Sequence, residues 1–171
     1  SSIKSRVVAI ATDSYGDVWC ASQRNGIFLV DSTKILKNER NGLTEDMTIH
    51  SMAIGKSNGV EYMLVGTDQG LLVYQVQGKK LTLLYASTKI PETKLQCIVK
   101  LPTRSGFMIG TEDQGLFEFV PSSTDESSIV TIYNASTKYP ELSNVQALMV
   151  DNARDLWVGT PDKGFLKYAD Q

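Results

Sequence analysis

Apolar residues along this chain gather in short runs separated by polar turns, and the runs recur. Four of them superimpose without gaps: Trp19-Cys20-Ala21-Ser22, Leu64-Val65-Gly66-Thr67, Met108-Ile109-Gly110-Thr111 and Trp157-Val158-Gly159-Thr160. Each is followed by a short polar stretch and a glycine that opens a second apolar run, beginning at Gly26, Gly70, Gly115 and Gly164. These glycines step by 44, 45 and 49 residues. Short apolar runs bounded by turn residues read as strands, and a period of this length is that of a repeated unit of four strands.

Upstream of each core lies another run: Val7-Val8-Ala9-Ile10, Ile49-His50-Ser51-Met52, Leu95-Gln96-Cys97-Ile98 and Val145-Gln146-Ala147-Leu148. Its third place is always small (Ala9, Ser51, Cys97, Ala147), as a strand crowded near a central axis requires. Its second place holds Val8, His50, Gln96 and Gln146, so it is loosely specified. Each unit therefore predicts an innermost strand A, a strand B, a glycine-marked turn and a strand C. An outer strand D follows at Lys34 to Leu36, Lys80 to Tyr85 and Ile129 to Tyr133.

The expected fold is all-β: a single β-propeller segment over residues 1–171, of about four blades at 7–37, 49–85, 95–133 and 145–171, each a four-stranded antiparallel sheet. The last unit reaches Gln171 before its strand D, and the chain begins at Ser1 rather than Met. We therefore expect a piece of a larger propeller, since each repeat needs neighbours to bury its faces, with two copies forming an eight-bladed ring as the alternative. Trp157 is expected to fill the core, and Pro121 to Ser128 to form a surface loop.

Composition changes this picture little. An apolar content of 42% suits a packed core, and a net charge of -2 with no long run of either sign argues against nucleic acid as a partner. No apolar run approaches the roughly 20 residues that span a bilayer, so no membrane contact is expected of this segment. Cys20 and Cys97 occupy slots for small apolar residues and read as unpaired thiols. With one histidine and no C-x-x-C or calcium-loop spacing, neither a metal nor a cofactor is expected.

In such a blade the B-to-C turns and the D-to-A loops share one face. The loops there are long, Asn41 to Thr48, Ser87 to Lys94 and Ser136 to Asn144, and the turns supply Arg24, Asp68, Gln69, Glu112, Asp113, Gln114 and Asp162. Carboxylates and amides beside an aromatic such as Tyr139 suit sugar hydroxyls, which need paired donors and acceptors and a flat apolar platform. These eight residues are the candidate ligand-binding set. Polar residues are also what any solvated turn carries. Asp68, Glu112 and Asp113 could pair as acid and base for glycoside cleavage, but each is equally explained as a turn residue, so no catalytic residues are assigned.

The residues Leu142-Ser143-Asn144-Val145-Gln146-Ala147-Leu148, Asp151, Leu156-Trp157-Val158-Gly159-Thr160 and Gly164-Phe165-Leu166-Lys167-Tyr168 resemble the two-component regulator propeller repeat. Val8-Ala9-Ile10, Asp13, Gly16 and Val18-Trp19 are similar to it as well. The two middle units lack the Asp-x-x-Gly turn and the Trp. The resemblance implies the periplasmic sensor region of a hybrid two-component histidine kinase, a non-catalytic propeller that senses an oligosaccharide and works beside further blades or a second copy. Leu64 to Leu71 also resembles the citron-homology propeller of eukaryotic signalling proteins, which implies a protein-interaction scaffold. A propeller glycosidase or lyase is the remaining expectation.

Overall fold

The computed structural model describes residues 5–169. The first blade comprises β1 (Val7–Thr12), β2 (Val18–Ser22), β3 (Gly26–Asp31) and β4 (Lys34–Glu39). The second comprises β5 (Ile49–Ser57), β6 (Val60–Thr67), β7 (Gly70–Gln77) and β8 (Lys80–Ala86). The third comprises β9 (Leu95–Lys100), β10 (Phe107–Thr111), β11 (Leu116–Val120) and β12 (Ile129–Tyr133). The fourth has three strands among the described residues, β13 (Ala147–Val150), β14 (Leu156–Thr160) and β15 (Gly164–Tyr168). Every sheet is an antiparallel meander in sequence order. The chain is thus an all-β propeller arc, with Pro121 to Ser128 as a loop between β11 and β12. Its first outer strand runs to Glu39, beyond the expected Leu36.

Alternation along each strand gives a blade two apolar faces, and the faces of successive blades pack together. Trp19, Ile27 and Leu29 of the first blade meet Met52, Met63, Val65, Leu72 and Tyr74 of the second. Leu64, Leu71 and Val73 meet Ile98, Phe107, Ile109, Phe117 and Phe119 of the third. Met108 and Leu116 meet Leu156 and Val158 of the fourth. Between blades the backbones come close at the B-strand glycines. A Cβ on Gly66 would lie 2.8 Å from Leu95 Cβ, and one on Gly110 would lie 2.5 Å from Val145 Cγ1. Only a hydrogen fits there.

The first and last blades share an aspartate device at the A-to-B turn. Asp13 accepts from the Tyr15 and Asp17 amides through Oδ1 and from the Trp19 indole through Oδ2 at 2.9 Å. Asp151 does the same with the Ala153 and Asp155 amides and with Trp157 at 2.7 Å. The turn needs a left-handed residue, supplied by Gly16 at φ 84° and, in the last blade, by Arg154 at φ 67°. The second blade replaces the device with a two-residue hairpin, Asn58-Gly59, both residues at positive φ.

The fourth blade corrects one expectation. Trp157 occupies the slot of Trp19 but is only half-buried, because the face it shares with Phe165 has no following blade against it among the described residues. Phe165 is 75% exposed and Met149 55%, whereas Trp19 and Ile27, which the second blade covers, are at 0%. At the other end Ile10 is 67% exposed, against 7% for its counterpart Met52. Both flanks of the arc are therefore apolar and open.

Replacing Trp19 with Ala should cost about 3–5 kcal/mol through the cavity it leaves, and replacing Trp157 about 1–2 kcal/mol because less area is lost. Urea denaturation of the two variants checks the ranking. The open flanks predict concentration-dependent association by light scattering, and Phe165→Asp should shift the protein toward monomer.

Candidate ligand-binding site

The inner strands do not pair regularly from their first residue. Val7 pairs with Ser22 and Ala9 with Ala21, which leaves Val8 as an extra residue between two adjacent pairings. The same step falls between Ile49 and Ser51, leaving His50, and between Leu95 and Cys97, leaving Gln96. In the last blade the ladder starts at Ala147, and Gln146 precedes it with only its amide on the Gly159 carbonyl. The first three inner strands thus open on a β-bulge, a device that re-aims a side chain at the cost of one ladder position.

The three bulge residues and Gln146 converge. Val8, His50, Gln96 and Gln146 line one cavity of about 470 Å³ together with Arg6, Val7, Gln23 and Lys94. Because every blade contributes its innermost strand, this cavity lies on the inner side of the arc, at the end bearing the B-to-C turns. Gln96 is held in place: its Nε2 donates to Asn144 Oδ1 at 2.9 Å and to the Val145 carbonyl at 2.8 Å. Its Oε1 stays available as an acceptor. Burial, with the charge of Lys94 added, holds the His50 imidazole below its ordinary range, while Asp68 and Glu112 oppose this more weakly. The wall therefore offers amides, a neutral imidazole, two cations and two valines.

The turns predicted as the ligand-binding set are built on a shared scaffold. Ser22, Thr67, Thr111 and Thr160 each donate a side-chain hydrogen bond to the carbonyl of the turn glycine and accept one from a turn amide. Several of the polar residues on this frame hold the neighbouring loops. Asp68 Oδ1 accepts from the Thr48 amide at 2.9 Å, Gln69 Nε2 donates to the Asp46 carbonyl at 3.2 Å, and Asp113 Oδ1 accepts from the Thr93 hydroxyl at 2.7 Å. The Gln114 backbone carbonyl accepts from the Asn134 side-chain amide at 3.3 Å. Arg24, Glu112 and Asp162 are exposed with no side-chain hydrogen bond to a described residue.

Tyr139 stands elsewhere. Its ring meets Tyr133 and Tyr168 edge-on at 5.3 and 6.2 Å and lines a separate cavity of about 130 Å³ between the third and fourth blades, with Met108, Leu116 and Leu142. The structure therefore gathers Asp68, Gln69, Glu112, Asp113 and Gln114 near the ends of the second and third blades and sets Tyr139 apart. Arg6, Lys94, Gln96 and Gln146 were absent from the predicted set. For Gln96 and Gln146 the signal was present as a polar slot on the strand expected to be innermost, whereas Arg6 and Lys94 lie just before that strand.

Neither cysteine is paired, and burial pushes the Cys97 thiol up to about 12. No group of three His, Cys, Asp or Glu residues suited to a metal occurs among the described residues.

No protein-family model and no curated protein matches the chain. Its fold is similar to that of several solved structures. One is the extracellular domain of the hybrid two component system BT4673 from B. thetaiotaomicron, at TM-score 0.72 and 20% identity over 96% of this chain and 20% of that one. Another is the corresponding domain of BT3049 from the same organism, at TM-score 0.69 and 16% identity over 96% of this chain and 22% of that one. A third is the WD40 β-propeller domain of Doa1, at TM-score 0.70 and 17% identity over 100% of this chain and 53% of that one. The chain thus spans about a fifth of the length of the two sensor domains. These likenesses establish the propeller fold.

The lowered His50 affinity for protons has a consequence for stability. A histidine favoured in its neutral form contributes stability above its ordinary pKa of 6.5, and that contribution is lost as pH falls through the lower folded value. Thermal melts between pH 7 and pH 5 should show a drop that His50→Gln reduces.

Proposed function

We propose that this chain is part of the extracytoplasmic sensing propeller of a two-component signal-transduction protein, and that it binds an oligosaccharide without transforming it. The observation that carries this reading is the fold match to the extracellular domain of a hybrid two component system over nearly the whole chain. The motifs from Leu142 to Tyr168 and from Val8 to Trp19 support it from the sequence side. In this reading the compartment is the periplasm, and the open flanks of the first and last blades are covered by further blades of a longer propeller. Output by a histidine kinase would then lie outside this segment.

Binding rather than catalysis is favoured by the state of the acidic turn residues. Two of the three carboxylates that might have formed an acid–base pair are engaged, Asp68 with the Thr48 amide and Asp113 with Thr93. A carboxylate tied into a loop is poorly placed to exchange a proton with a substrate. On this face Arg24, Glu112, Gln114 and Asp162 remain as donors and acceptors for sugar hydroxyls, beside the amide-lined cavity on the axis. Tyr139, set in its own cavity, would contribute at a distance from them.

Calorimetric titration with a panel of oligosaccharides tests the proposal. Ala variants of Arg24, Glu112 and Gln114 should stay within about 0.5 kcal/mol of the parent in stability. At least one should weaken binding by about 1–3 kcal/mol, the cost of leaving a sugar hydroxyl unsatisfied. Turnover of any bound oligosaccharide would refute the non-catalytic reading. Sequence 3′ of this segment in its gene should encode a membrane-spanning helix and a histidine kinase.

A further inference from the structure

Three inner strands that each spend a ladder position on a residue lining the same space, joined there by Gln146 of the fourth blade, make a built feature, and its chemistry is unevenly distributed. The cavity wall holds Arg6 and Lys94, the His50 imidazole and the amides of Gln23, Gln96 and Gln146, and no carboxylate lines it. Neither Arg6 nor Lys94 forms an ion pair among the described residues. Two carboxylates outside the wall, Asp68 and Glu112, act on His50 through their field, and Asp68 is already bonded to the Thr48 amide. A concave site whose wall carries cations and no carboxylate focuses positive potential.

From this we infer that the axial cavity selects an acidic oligosaccharide, one carrying a carboxylate or a sulfate, whose anionic group is held between Arg6 and Lys94 while its hydroxyls meet Gln23, Gln96 and Gln146. The inference rests on the oligosaccharide-sensing reading and narrows it. A neutral sugar would find the amides but leave both cations without a partner. An anionic group gains charge-assisted hydrogen bonds, which are about twice as strong as neutral ones. Gln96 contributes through its free Oε1, since its nitrogen is committed to Asn144 and Val145. Val7 and Val8 supply the apolar part of the wall that a sugar ring covers.

The chain's single histidine makes the test direct, because its imidazole signals in a proton spectrum belong to one known residue of the cavity. The probes are a galacturonate trisaccharide, a sulfated disaccharide and a neutral cellotriose, each followed by calorimetry and by the pH titration of His50. One acidic probe should bind at least about tenfold tighter than cellotriose, a difference set by its charge-assisted bonds, and its binding should weaken as salt is raised. Which of the two binds distinguishes carboxylate from sulfate. Saturation with that probe should raise the His50 titration midpoint, since an anion nearby favours the imidazolium. Lys94→Gln and Arg6→Gln should each weaken binding about tenfold, and Lys94→Arg should retain it.

Cellotriose binding as tightly as the acidic probes, with Gln146→Ala weakening it, would overturn the charge preference and leave the sensing reading standing. An unmoved His50 signal at saturation, or undiminished binding in Lys94→Gln, would also overturn the inference. So would failure of both acidic probes to bind.

Discussion

Everything in this arc depends on the distance of approach between successive blades where each inner strand begins. Leu95 lies against Gly66 and Val145 against Gly110 so closely that a single added carbon would collide. That approach lets the inter-blade hydrogen bonds form, from the Ile49 amide to the Gln23 carbonyl, from Ser51 to Leu95 and from the Val145 amide to the Thr111 carbonyl. The larger apolar clusters further out then close behind it. At Gly159 the atoms nearest an added carbon belong to Ala147 of its own blade, because no following blade lies against it among the described residues.

The same seam produces the candidate site. To bring the start of an inner strand over the preceding blade, the chain departs from its ladder by one residue, and the bulge turns that residue toward the axis. Fold and site are therefore one construction: the residue that costs a pairing position is the residue that faces the cavity. Small residues at Ala9, Ser51, Cys97 and Ala147 hold the strand close, while the position before them carries Val8, which packs against the core, or the polar His50, Gln96 and Gln146.

The turn residues illustrate the opposite case. Asp68, Gln69 and Asp113 sit on the surface where sugar-binding groups were expected, yet their side chains bond to the long D-to-A loops and give those loops a defined path. Glu112 and Arg24, in equivalent turns, have no such duty. Residue type and position along the repeat could not separate the two roles, because the partner of each side chain comes from a loop about 20 residues away in the chain.

By itself the sequence determined the strand order, the 44- to 49-residue period and the two-faced apolar character of each blade, because these follow from local alternation and from glycines that few other residues can replace. It also carried the aspartate turn, since Asp13 and Asp151 serve the amides and indole of their own hairpins. What only the tertiary structure decided was convergence and cover. Four equivalent slots spaced tens of residues apart, three of them polar, become one cavity wall only when the blades fan around an axis. Two tryptophans in identical local settings differ in burial because, among the described residues, one has a blade packed against it and the other does not. Both outcomes depend on neighbours remote in the chain, and no local pattern encodes how such neighbours are placed.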